Sequence, residues 1–294
     1  MGHAGGAERY RLGHEMIGFD EGADAVAVHF DNQDSVMADL LVGADGVGST
    51  ARSILLPDAR AAYAGYVAWR GMVPERDLPP EVTAELTDAI TYYVYANSHI
   101  LVYPIPGLDG SVADGDRLIN FVWYRNYSDG ELDELLTDRN GVRRELSLPP
   151  GAASDHHRAE LHAHAAARLP PLLSEVVARA AEPFLQVVYD IEVEQMAFGR
   201  VCLLGDAAFA ARPHAAAGSA KAADDAWSLD RVLGRVRAEG GSVPGALAAW
   251  EVDQLALGRS LIARNRDVGS RSQVTNTWRP GDPDLIFGLR APGR

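Results

Sequence analysis

Nine of the ten tyrosines of this chain fall between Tyr63 and Tyr189, and that block constrains the fold more than any other feature. Within it Tyr66–Val73, Ile90–Ala96, His99–Ile105, Leu118–Tyr127 and Phe184–Val193 carry the aromatic and β-branched residues that favour strands. Pro79-Pro80, Asn97-Ser98 and residues 106–116 separate them with turn formers. A helical stretch, Asp155–Ala180, interrupts them, with a break predicted at Pro170-Pro171. The block reads as a largely antiparallel sheet with helices on one face, and Leu146–Ser154 as a connector inside it.

On either side the pattern changes. Ala25–Phe30 and Ser35–Ala38 alternate around an Asp31–Asp34 turn, as antiparallel strands do. Asp39–Ala44 and Arg200–Leu204 are short, continuously apolar runs, suited to strands of a parallel sheet buried on both faces. Helices are predicted over Gly218–Val236, with a core stripe of Ala222, Ala226, Leu229, Leu233 and Val236, and over Pro244–Arg266. The fold class expected is α/β (α+β). Its boundaries are residues 1–60 and 195–270 for one α/β domain, 61–194 for an inserted sheet domain, and 271–294 for a tail.

Composition excludes several classes. With 47% apolar and 23% charged residues the chain is globular rather than disordered. A formal charge of −14 repels phosphate backbones and anionic lipid, and the arginines form no local patch, so no nucleic-acid or membrane partner is expected. Lys221 is the only lysine. The single cysteine, Cys202, excludes an internal disulfide or a multi-thiolate metal site and reads as a buried structural thiol. No apolar run approaches the ~20 residues that span a bilayer, and no signal-peptide core opens the chain, so a cytoplasmic protein is expected.

Two motifs carry chemistry. The first is Gly43-Ala44-Asp45-Gly46-Val47-Gly48-Ser49-Thr50-Ala51-Arg52, a buried strand followed by Asp-Gly and a turn. The second is Gly205-Asp206-Ala207-Ala208-Phe209, with Arg212-Pro213-His214 in the loop and Gly218-Ser219-Ala220 opening a helix. Small residues let backbone approach a ligand, and the helix amino terminus offers unpaired amides and a positive dipole. A carboxylate just past a strand end suits a polyol, and the helix end suits negative charge on a reduced ring system. In contrast, Met1–Gly6 (MGHAGG) follows no strand and is not a dinucleotide fingerprint.

These residues resemble the single-component FAD-dependent aromatic hydroxylases of the para-hydroxybenzoate hydroxylase type. GADGVGSTAR is similar to their second fingerprint, and GDAAFAARPHAAAGSAKAADDA to their third, without gaps. Tyr66–Gly71, His99–Pro106 and Asn120–Asn126 are similar to the 2,6-dihydroxypyridine 3-hydroxylase branch. The resemblance implies a Rossmann-like three-layer FAD domain and a monooxygenase that hydroxylates a small hydroxylated aromatic or heteroaromatic ring with NAD(P)H and O2. A homodimer is compatible with it. It implies that Asp206 contacts the ribityl chain, Gly218, Ser219 and Ala220 the flavin edge, Pro213 the ring, and Asp45 and Gly46 the pyrophosphate and ribityl region, with Gly205 also in the cofactor site. Arg52 would fix its own loop. His214 and Tyr103 are the catalytic candidates, since a ring hydroxyl must lose a proton and imidazole titrates near ~6.5.

Three departures stand beside this. The family's GxGxxG strand-turn-helix is absent, with roughly a hundred residues that accompany it. Phe209 stands where relatives carry His, and Ala220 where an Asn is common. The chain is therefore expected to begin partway through the FAD domain, to purify colourless or aggregated, and to oxidise no NAD(P)H. A second reading is a non-catalytic remnant that binds partners or aromatic ligands; a third is another FAD enzyme, such as a halogenase or a geranylgeranyl-type reductase. Tyr93, Tyr95, Tyr103 and Tyr124 are either pocket or core residues. His156, His157, His162 and His164 lack metal-ligand spacing and read as a solvated helix face, and Asp129–Glu134 as a turn and helix start.

Overall fold

The protein is represented by a computed structural model that describes residues 10–290, so the Met1–Gly6 segment lies outside the described residues. In chain order the strands are β1 (Met16–Glu21), β2 (Val26–Phe30), β3 (Ser35–Ala38), β4 (Leu41–Gly43), β5 (Ala62–Pro74), β6 (Thr91–Tyr95), β7 (Ser98–Ile105), β8 (Leu118–Asn126), β9 (Ser147–Leu148), β10 (Phe184–Asp190), β11 (Ala197–Phe198) and β12 (Val201–Leu203). The helices are α1 (Thr50–Leu55), α2 (Pro80–Leu86), α3 (Asp129–Leu135), α4 (Asp155–Arg168), α5 (Pro171–Arg179), α6 (Gly218–Glu239) and α7 (Val243–Gln273). The chain divides into two compact units. Unit 1 takes residues up to Ala62, Tyr189–Asn265 and those from Ile286 on, and unit 2 takes Tyr63–Val188 and Arg266–Leu285. Residues 271–290 are thus shared out between the units and form no separate tail.

Unit 2 is built on a six-stranded sheet in the order β6-β7-β8-β5-β10-β9. Its register sets Trp69 opposite Trp123 and Ile100 opposite Trp123, so the largest side chains share one face. Helices α4 and α5 cover that face. Leu161, Ala165, Val176 and Val177 are fully buried, and Gly71 lies so close to Ala180 and the Phe121 ring that a side chain there would collide with both. The break between the helices falls at Leu169-Pro170, and Pro171 opens α5, where its missing N–H costs nothing. The 146–154 connector contains a strand after all: Leu148 and Ser147 pair with Leu185 and Gln186 of β10. The histidines of α4 do not form a solvated face. His157 is buried, and His164 Nδ1 accepts from Arg125 Nη2 at 2.8 Å, edge-on to Trp123.

A bidentate pair, Arg117 to Glu75 with both bonds at 2.8 Å, closes one end of this sheet. Those hydrogen bonds hold the Glu75 carboxyl below the usual range. A carboxyl depressed in the fold contributes its stability above its unfolded pKa and loses it as pH falls through the folded value. The urea midpoint should therefore fall on acidification, and E75Q should show a shallower acid dependence than the parent. Identical profiles would remove this pair from the acid response.

Unit 1 holds the antiparallel meander β1-β2-β3 and a three-stranded sheet β11-β12-β4. Among the described residues the expected parallel sheet is present as one parallel pair, β12 with β4, flanked by the β11–β12 hairpin. Helix α6 follows the predicted stripe at Leu229 and Leu233, which join the core, but not at Ala226. Ala226 faces solvent, and the inward positions are Lys221, Asp225 and Leu229. Cys202 is buried on β12, and burial, with Asp225 nearby, pushes its thiol up to about 12. It should resist a thiol-specific disulfide reagent in the folded protein and react only in denaturant. Stoichiometric labelling under native conditions would contradict that burial.

Candidate functional site

The two motifs meet at one sheet edge. Gly43 lies opposite Leu203 in the parallel pair, and Leu204 N–H donates to the Gly43 carbonyl at 3.0 Å. The Asp45-Gly46 and Gly205-Asp206 loops therefore leave the carboxyl ends of adjacent strands side by side, the place where open α/β sheets bind ligands. Arg52 ties them: its Nη1 donates to the Ala207 carbonyl at 3.0 Å, 155 residues away in sequence, and its Nη2 to the Val47 carbonyl at 2.6 Å.

Asp45 is occupied within its own loop. Its carboxylate accepts from Ser49 Oγ at 2.5 Å and from Ala51 N–H at 3.0 Å, while Ser49 caps α1 by accepting from Arg52 N–H at 2.9 Å. Gly46 adopts φ +77°, the left-handed region that glycine enters at no steric cost. Together these contacts aim the loop; Asp45 itself faces solvent.

The second loop rests on a buried charge pair that the sequence pattern concealed. Lys221 Nζ donates to Asp225 Oδ1 at 2.5 Å, with both side chains 1% exposed or less. Asp225 Oδ2 accepts from Gly205 N–H at 2.8 Å and so holds the turn that presents Asp206. Burial lowers the ammonium and raises the carboxyl, and each draws the other back toward its charged form. Gly205 has φ +59°, and a Cβ there would sit 3.2 Å from Ala222 Cβ. Lys221 also lies 5.2 Å from the centroid of the Phe209 ring. That ring packs directly on Gly258 of α7, whose lack of a side chain admits a phenyl group. The Asp206 side chain is exposed; desolvation by its surroundings raises its carboxyl and Lys221 opposes the shift.

The loop between Asp206 and α6 is pinned from three directions. Arg212 donates to both oxygens of buried Asp190, Ala215 N–H donates to Asn265 Oδ1 at 2.9 Å, and Gly288 N–H donates to the Ala215 carbonyl at 2.7 Å. His214 is buried in this turn and Pro213 is exposed beside it. Gly218, Ser219 and Ala220 then open α6, all exposed, and Ala217 provides no side-chain cap. The amino terminus of a 22-residue helix is left as an open row of donors.

Tyr103 lies in unit 2, on β7, half-buried against the cluster of Tyr66, Ala68, Val122, Tyr124 and Val188. The strand register places Tyr103 and Tyr124 on the sheet face opposite to Trp123, and Tyr93 and Tyr95 on the Trp123 face, so the four tyrosines split two and two. Rings connect along the Tyr103 face: Tyr66 to Tyr124 at 6.1 Å, Tyr124 to His99 at 4.5 Å, and His99 to Trp278 at 5.3 Å. Burial lowers His99 to about 3, so this imidazole is neutral in the fold.

Comparison with known proteins places this arrangement. A family described as FAD binding domain-like matches residues 63–190. The chain is 36% identical to the 2,6-dihydroxypyridine 3-monooxygenase of Paenarthrobacter nicotinovorans over 285 residues, covering 97% of this chain and 70% of that protein. The chain belongs to the FAD-dependent aromatic-ring hydroxylases. The solved 2,6-dihydroxypyridine-3-hydroxylase from Arthrobacter nicotinovorans superposes with a TM-score of 0.89 at 35% identity, over 96% of this chain and 70% of that one. A second hydroxylase relative, the FAD-dependent urate hydroxylase of Klebsiella pneumoniae, is 28% identical over 93% of this chain, which spans 64% of that protein. The described residues include no helix long and apolar enough to cross a membrane.

Lys221, Asp225 and Asn265 were the supporting residues missed in sequence. The one available signal was a solitary lysine four residues before an aspartate on a helix stripe, a spacing that lets the two meet.

Proposed function

We propose that the protein is an FAD-dependent monooxygenase that hydroxylates a small hydroxylated aromatic or heteroaromatic ring of the hydroxypyridine kind, with NAD(P)H as reductant and O2 as co-substrate. One observation carries the reading: two loops from adjacent parallel strands present Asp206 and an uncapped run of α6 amides at one sheet edge, in a chain that matches flavin hydroxylases along nearly its whole length. The residues present fit a flavin. Exposed Asp206 offers acceptors to a polyol, Gly205 and Gly46 leave room for backbone approach, and the open donors of Gly218, Ser219 and Ala220 suit a ring edge that becomes negative on reduction. When bound, FAD supplies the reduction by NAD(P)H and the activation of O2 that puts one oxygen atom into the ring.

The chain's own residues supply the rest. Pro213 lines the ring with a rigid apolar edge. His214, held in its turn by Arg212, Asn265 and Gly288, takes the proton from the substrate hydroxyl and so makes the ring electron-rich. Tyr103, on the sheet face of unit 2, is the second catalytic candidate. The net charge of −14 supports a reading without nucleic-acid or membrane-surface partners, and a cytoplasmic setting and a homodimer are compatible with it.

The test uses FAD-loaded protein, expressed with any coding sequence that lies in frame upstream of Met1. NAD(P)H consumption should accelerate when a hydroxypyridine or phenol is added, with a hydroxylated product recovered. No acceleration across a panel of such rings would sink the monooxygenase reading. Ring binding without turnover would instead favour a ligand-binding protein.

A further inference from the structure

Asn120 is an unusual residue for its position. It lies on β8, directly opposite Tyr103 of β7 and Met72 of β5, on the face that carries Tyr66, Tyr103 and Tyr124. It is 3% exposed, and its Nδ2 has no hydrogen-bond partner among the described residues. A buried amide donor left unpaired costs stability, and an aliphatic side chain of similar volume would fill the place without that cost. A second donor nearby is in the same condition. Arg70 sits opposite Val122, one same-face position along β8 from Asn120, and its buried Nε has no hydrogen-bond partner among the described residues while Nη1 donates to Gln186 at 2.8 Å. The same face carries the cluster of Tyr66, Val122, Tyr124 and Leu101, and on the two sides of Asn120 Met72 is 39% exposed and Tyr103 half-buried.

An apolar platform with a few unsatisfied donors is how proteins prepare for a flat ligand that brings its own acceptors. We propose that Asn120 is a specificity-determining residue for the ring substrate: its Nδ2 donates to an oxygen substituent on the ring, which seats by displacing the flexible Met72 side chain. The inference rests on the hydroxylase reading above and adds which substituent is recognised. The ligand oxygen acts as an acceptor toward this donor, and an oxo group or a deprotonated hydroxyl accepts more strongly than a neutral hydroxyl does. The Arg70 guanidinium, one position away, favours the anionic form.

The test compares parent, Asn120→Leu and Asn120→Asp as FAD-loaded proteins on 2,6-dihydroxypyridine and on 2-hydroxypyridine, which lacks one ring oxygen. Asn120→Leu removes the donor at nearly constant volume. Asn120→Asp keeps the shape and replaces the donor by an acceptor. The expected result is a KM for the dihydroxylated ring raised by about 10–100-fold in both variants. Values of kcat should stay within a few-fold, and the preference over the mono-oxygenated ring should collapse. Thermal midpoints separate recognition from folding: Asn120→Leu should melt at or above the parent temperature. Unchanged KM and preference in the folded variants would overturn the proposal while leaving the hydroxylase reading intact. Loss of folding in both variants would overturn it too, by making the amide a structural element. Failure of the parent itself to respond to either ring would bring down the hydroxylase reading, and this proposal with it.

Discussion

Replacing Lys221 with alanine should destabilise unit 1 by about 3–5 kcal/mol, a hundred- to several-thousandfold shift in its folding equilibrium. The size follows from what remains. Asp225 would stay fully buried with no counter-charge, and among the described residues its other side-chain partner is the Gly205 N–H at 2.8 Å. Removing one member of a buried ion pair costs far more than removing both, because the survivor keeps its desolvation penalty. The double variant Lys221→Met with Asp225→Asn should therefore recover most of the loss, since an Asn oxygen still accepts from Gly205 and no charge is left buried. Urea denaturation of the three proteins tests this. A single-variant loss below about 1 kcal/mol would mean that the pair behaves like a solvated surface bridge.

Replacing His214 with glutamine in FAD-loaded protein should lower kcat by about 10²–10⁴-fold, the usual weight of a positioned acid–base group. KM should change little, because glutamine keeps a polar side chain in a turn that is anchored elsewhere, through Arg212, Ala215 and Gly288. The pH–rate profile gives the readout that a merely structural role would not move: its acidic limb should flatten in the variant. A variant with parental kcat and an unchanged profile would remove His214 from the proton path and leave that role to another group.

Legibility in the sequence tracked how closely each element obeyed a simple burial pattern. The strands β5 to β8 and β10 could be placed because long runs of aromatic and β-branched residues alternate between the two faces of one sheet. β1 escaped because Gly18, Asp20 and Glu21 dilute its pattern and Ile17 faces solvent. β9 and β11 have two residues each, too few to show any period. In α6 the apolar stripe held at Leu229 and Leu233 and failed in the first turns, where the inward positions are Lys221 and Asp225, buried because they are paired. α7 runs on past the predicted end at Arg266 to Gln273, through a last stretch whose buried Ser272 and Gln273 are polar and break the apolar pattern. The loops of the site were recognisable as motifs. The side-chain scaffold behind them was not, because it joins residues far apart in the chain.

The pairing of β4 with β12 also sets a timetable for synthesis. Leu41–Gly43 leaves the ribosome about 160 residues ahead of the strand it must pair with. At roughly 5–20 residues per second the nascent chain carries that strand unpartnered for roughly 8–30 s. The whole of the β5–β10 sheet emerges in that interval, and its antiparallel neighbours are close enough in sequence to assemble first. Nascent unit 1 thus passes through a stage in which an apolar strand edge is open to other chains, the stage at which a chaperone would shield it from intermolecular pairing.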